Sequence, residues 1–159
     1  MNTFAPAATD SHPTTSAYPN PLGLTSVLSG SLPPSLGTLT APDLYQVDAV
    51  FDRRPQSEEV AALHSLETLN ALSAAGYPSV TLHVSDRRLE IKNTNLDQLK
   101  RGLATFLADH LAAITEEIQK ARASAQSRLA SAAEAEGSRA AAIATKAEQI
   151  TFIRTSTTP

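Results

Sequence analysis

The sequence predicts a mainly α, α+β protein with its parts in series. A disordered N-terminal arm covers residues 1–40 and a small helix–helix–hairpin–helix body covers 41–118. An extended, coiled-coil-like alanine-rich helix follows over 119–150, then a tail over 151–159. Three observations carry this. Seven of the ten prolines and thirteen serines and threonines crowd into the first 42 residues. Two short runs, 80–84 and 89–93, alternate apolar and polar residues and lie close together. Twelve of the 32 residues from 119 to 150 are alanine, the best helix former.

In the arm, Asp10 is the only charged side chain. Proline breaks both helix and sheet ladders, and the segment offers little apolar surface to offset the entropy of ordering. No P-x-x-P spacing occurs, so a docking peptide of the SH3 type is not indicated. A weak apolar cluster, Leu22 to Leu39, suggests a stretch that could order against a partner.

The body opens at Thr40-Ala41-Pro42-Asp43, a helix-start pattern, with Leu44, Val47 and Phe51 following at helical spacing. A helix is therefore expected over 41–54, ending before Pro55. Its rival is a strand, because Tyr45, Val47, Ala49 and Phe51 also alternate. Ser57 is the expected cap of a second helix, with Glu58 and Glu59 at its positive end and Val60, Leu63, Leu66, Leu69 and Leu72 as its apolar stripe. Gly76 and Pro78 end it.

The hairpin follows. Face matching sets Val84 opposite Leu89 and Leu82 opposite Ile91, which places His83 against Glu90 and Thr81 against Lys92. A two-residue loop, Asp86-Arg87, and a four-residue loop, Ser85 to Arg88, both give that register. The longer is favoured, since two-residue turns usually want glycine or asparagine. Thr94 or Asn95 caps the third helix, whose apolar face runs through Leu96, Leu99, Leu103, Phe106, Leu107, Leu111, Ile114 and Ile118.

Steps of four and three continue through Ala121 and Ala125. After a slip of phase they resume at Leu129, Ala133, Ala140, Ile143, Ala147 and Ile150. A 32-residue helix spans ~48 Å, more than a small body can cover. The expected oligomer seam is Leu107, Leu111, Ile114, Ile118 and Leu129. The expected partner is a second copy or another helical protein. The tail begins with an apolar run, Ile150-Thr151-Phe152-Ile153, suited to strand addition or to capping the helix end.

Little points to catalysis. There is no cysteine, no phosphate-cradling glycine loop and no G-x-S-x-G. His12, His64, His83 and His110 lack the close spacing of a metal site. The acid pairs Glu58-Glu59 and Glu116-Glu117 are helical neighbours that point apart, so solvated faces are expected. No catalytic, metal or cofactor residue is assigned, and no small-molecule substrate. The net charge of −3 gives no general attraction to nucleic acid or to anionic membrane. The chain has no apolar run long enough to span a bilayer, and no basic residue precedes Arg53. It is expected to be cytoplasmic or part of a soluble assembly.

One cluster is basic: Arg87 and Arg88 at the hairpin tip, then Lys92, Lys100 and Arg101, with Arg53-Arg54 nearby. Such a tip suits phosphate contacts, although Asp86, Glu90 and Asp97 interleave. The helix–hairpin–helix order is similar to that of bacterial YbaB-like nucleoid-associated proteins, without their third strand. The likeness is one of layout, implies nucleic-acid binding and carries over no site. Two functions are therefore expected: first a non-enzymatic structural, assembly or protein-interaction role, and second nucleic-acid binding through the arginine tip.

Overall fold

The computed structural model of the chain describes residues 20–156. The chain divides into two compact units after Glu116. Expectations for residues 1–19 of the arm, His12 included, lie outside the described residues.

The first unit is built on a four-stranded antiparallel sheet, ordered β1-β2-β4-β3. Its strands are β1 (Leu24–Val27), β2 (Tyr45–Phe51), β3 (Thr81–Ser85) and β4 (Arg88–Thr94). The expected hairpin is thus half of a larger sheet. That answers the marginal stability of an isolated two-stranded ribbon.

The second half of the expected arm belongs to this sheet. Leu22 is buried, and β1 pairs with the far end of β2, Val27 opposite Ala49 and Leu24 opposite Phe51. Gly23 lies against Asp52, which accepts its amide at 3.1 Å. A Cβ there would sit 2.9 Å from the Asp52 carboxylate, so the close approach needs glycine. Between β1 and β2 the chain advances by short turns, such as Leu36 N to Pro33 O at 3.2 Å and Thr38 N to Ser35 O at 3.1 Å. Proline, serine, threonine and glycine supply these bends.

The helix expected over 41–54 is corrected to strand β2, the rival assignment. Its alternating Val47, Ala49 and Phe51 are all buried, and it is paired on both sides. As a helix it would have counted on Leu44, which is 46% exposed. The register of β3 with β4 is the expected one, from Thr81↔Lys92 to Val84↔Leu89. The loop is not. Ser85 pairs with Arg88, leaving the two-residue turn Asp86-Arg87. Asp86 takes φ 52, a left-handed conformation that aspartate tolerates better than most residues. Farther along β4, Asn93 at φ 58 forms a bulge, and Thr94 turns into the core.

The single helix expected from Ser57 to Gly76 is two: α1 (Ser57–Leu63) and α2 (Leu66–Ala74). Gln56, not Ser57, caps α1. Ser65 interrupts the stripe because its hydroxyl caps α2 at Thr68 N. Leu66 is consequently 76% exposed, while Leu63, Thr68 and Leu72 are buried. Gly76, at φ 96, ends α2 as expected. Asn95 caps the one-turn helix α3 (Leu96–Gln98), and a wider, π-type turn (Leu99–Leu103) leads into α4 (Ala104–Glu148).

The first turns of α4 lie against the sheet face that carries Ala49 and Ile91. The core comprises Val47, Ala49, Phe51, Leu89 and Ile91 from the sheet with Leu63, Leu72, Leu103, Leu107, Leu111 and Ile114 from the helices.

The second unit is the remainder of α4, residues 117–148, followed by a segment without regular structure. The helix continues through Gly137 without a break. From residue 120 onward every described residue except Ala125 is exposed.

Candidate functional site

The first unit contains a buried charge cluster around Glu59 that sequence reasoning missed. Glu59, expected on a solvated face, is 1% exposed. Arg53 grips it with two bonds, Nη1 to Oε2 at 2.8 Å and Nη2 to Oε1 at 2.6 Å. The Gln56 amide donates to Oε2 at 2.8 Å, and the Thr115 hydroxyl donates to Oε1 at 2.8 Å. That Thr115 oxygen in turn accepts the Leu22 amide at 3.0 Å, and Arg53 Nε donates to Asn20 O at 2.9 Å.

Burial alone would push the Glu59 carboxyl up. The bonds from Arg53, the Gln56 backbone and Thr115, together with the arginine charge, outweigh it and hold the group below the usual carboxylate range. A carboxylate offers about four lone-pair sites, and here four donors occupy them. A carboxylate so saturated is a poor base or metal ligand. Its role is mechanical: it ties the N-terminal segment, the end of β2, the start of α1 and α4 together. A signal was present in the sequence, since Gln56 and Glu59 stand at capping-box spacing with Arg53 six residues before the glutamate.

The expected basic tip is brought together only in part. Arg54 is paired with Asp86. Arg88 reaches Asp48 at 3.6 Å, and Lys92 reaches Glu90 at 3.9 Å. Arg53 is committed to Glu59. Arg87, Lys100 and Arg101 are exposed, with Arg87 in the hairpin turn and the other two in the turn before α4. The hairpin cations thus alternate with carboxylates rather than forming one positive field.

The three described histidines make contacts within the first unit. His64 accepts the Val84 amide at 3.2 Å on the β3 edge and stacks on His83 with ring centres 5.5 Å apart. His110 joins Thr68 Oγ1 at 2.9 Å and stacks on Phe106. Among the described residues no group of three His, Asp or Glu side chains is placed to hold a metal ion. No helix of the described residues is long and apolar enough to cross a membrane.

The expected oligomer seam is split. Leu107 and Leu111 are 0% exposed and Ile114 is 6% exposed, so these three belong to the core of the first unit. In the single chain the sheet meets their stripe, as expected for the apolar face of the third helix. Ile118 is half-buried. Leu129 is 72% exposed and Ile143 60%, two heptads apart on α4. Ile150 lies beyond the helix end at Glu148.

A cavity of about 210 Å³ opens between β1 and the start of α4. Leu24 and Val27 form one wall, Ala104 and Ala108 the other, and Ala49, Ile91 and Leu107 contribute apolar lining. Compared with known proteins, the chain matches no family model, no curated protein and no solved structure.

Proposed function

We propose that the chain is a non-enzymatic structural or assembly protein, working in the cytoplasm or in a soluble particle. Its alanine-rich helix pairs with the same helix of a second copy. The observation that supports this most is the exposure of α4 beyond residue 120. Helices in proteins owe most of their stability to a packed face. Here Leu129, Ala133, Ala140, Ile143 and Ala147 repeat at steps of four, seven, three and four without cover. Alanines on such a seam allow close helix approach.

Charge favours a copy of the chain as the occupant. Residues 120–128 carry Lys120, Arg122 and Arg128 and no acid, whereas 129–138 carry Glu134 and Glu136 and no base, with Glu136 bonded to Arg139 just beyond at 2.7 Å. An antiparallel pair sets the positive stretch of each helix against the negative stretch of the other. A parallel pair sets like against like.

The test is absolute mass by light scattering after gel filtration. The parent chain is expected to be a discrete oligomer, and Leu129→Asp with Ile143→Asp a folded species of lower mass, with folding checked by circular dichroism. An unchanged mass in the double variant would refute the seam. A monomeric parent chain at every concentration would refute self-association.

A further inference from the structure

We propose that the open edge of β1 receives Ile150-Thr151-Phe152-Ile153 of a second copy as an added strand, with Phe152 seated in the apolar cavity beside it. The argument starts from the two edges of the sheet. On the β3 edge the Val84 amide is already bonded to His64. Among the described residues the β1 edge is terminal, and its sequence Leu-Thr-Ser-Val has neither charge nor proline to discourage pairing. Along it runs the cavity between Val27 and the small side chains of Ala104 and Ala108. Its volume is about 210 Å³, and cavities of about 150 Å³ with apolar walls admit a benzene ring.

The complement is in the same chain. Phe152 is 96% exposed, Ile153 82% and Ile150 63%. The segment has no regular structure, carries no charge and is rich in residues that favour strands. Ile150 and Phe152, two apart, share one side of an extended segment. Strand addition supplies backbone hydrogen bonds, and an adjacent pocket supplies specificity. The donor tail and the acceptor edge are different surfaces, so the contact is heterologous and distinct from the helix seam.

The chain has no tryptophan, so Phe152→Trp creates a single reporter. In the full-length variant the emission is expected to move to shorter wavelength as concentration rises. Adding Ala108→Arg, at an exposed wall position, should hold it at the solvent value. That doubly substituted chain should regain the shift when mixed with unsubstituted chain lacking residues 150–159, which offers a free groove and no competing tail. Val27→Glu serves as a second blocking variant should Ala108→Arg disturb folding.

Emission that ignores concentration at the solvent value, or a shift that survives both blocking variants, would overturn the proposal. A shift at every dilution would mean that the tail docks on its own chain, which overturns the second copy as occupant. A shift that needs removal of residues 1–19 would give the groove to that segment instead. Repeating the titration with Leu129→Asp and Ile143→Asp separates the two contacts: the shift is expected to persist when the seam is broken.

Discussion

Replacing Arg53 with methionine strands a charge. Glu59 loses two of its four hydrogen bonds and keeps a site in which it is 1% exposed. Breaking a buried pair by removing one partner costs about 3–5 kcal/mol. The Arg53 side chain is itself 22% exposed, so water reaches part of the site and the lower end is expected. At a urea m-value of about 1.5 kcal/mol/M, about 3 kcal/mol lowers the unfolding midpoint by about 2 M. Tyrosine emission is the assay, since Tyr45, whose hydroxyl accepts the Leu96 amide at 2.9 Å, and Tyr77 both lie in the first unit.

The pH dependence has a definite sign. In the parent chain the Glu59 carboxyl lies below its ordinary value. Its contribution is therefore complete above the unfolded glutamate value of about 4.3 and is lost as pH falls through the folded value. In Arg53→Met, burial is no longer outweighed and the folded value rises. Protonation then relieves the stranded charge, so the gap between parent and variant narrows on acidification from about pH 7 to about pH 4. Arg53→Met with Glu59→Met should recover much of the loss, because no unpaired charge remains. A gap under about 1 kcal/mol at neutral pH, typical of an exposed pair, would refute the clamp. So would a gap that does not change with pH.

Thr115→Val removes the acceptor of the Leu22 amide and should cost about 1–3 kcal/mol, with faster hydrogen exchange at Leu22 as the direct readout. Leu111→Ala should cost about 2–5 kcal/mol of stability in the first unit and leave the mass of the assembly unchanged, because Leu111 is core and not seam. Leu129→Asp alone should do the reverse, with mass reduced and stability of the first unit within about 0.5 kcal/mol of the parent.

Local chemistry was legible in the sequence. The β3–β4 register followed from face matching, and the Asn95 cap and the Gly76 stop followed from residue type. Long-range pairing was not. Residues 24–27 lie in a stretch whose composition argues against order, and β1 forms because partners distant in sequence receive it: Phe51, Ala49 and, through Leu22, Thr115. The segment 45–51 fits both periods, and only its neighbours on either side decide for a strand. Asp48 added to the ambiguity. It is 4% exposed within a central strand, satisfied by Gln46 at 2.7 Å and Arg88.

The same limit governs the candidate site. Steps of four and three describe a helix face against a sheet as well as a helix face against another helix. The pattern through Leu107, Leu111 and Ile114 could not say which was present. Glu59 looked like a dipole-facing surface acid because its burial depends on Arg53 folding back across Pro55, an event of tertiary structure.

The bond between Leu22 and Thr115 joins residues 93 apart in sequence. Chains are synthesised at about 5–20 residues per second, so Leu22 waits about 5–20 s for its acceptor to be added. Over that interval β1 has no clamp, and its pairing to β2 alone must hold it. Contacts of this separation close late in folding and slow it. The earliest described residues to be synthesised are therefore among the last to be fixed, and refolding of the complete chain should show Leu22 protected later than the hairpin at Asp86.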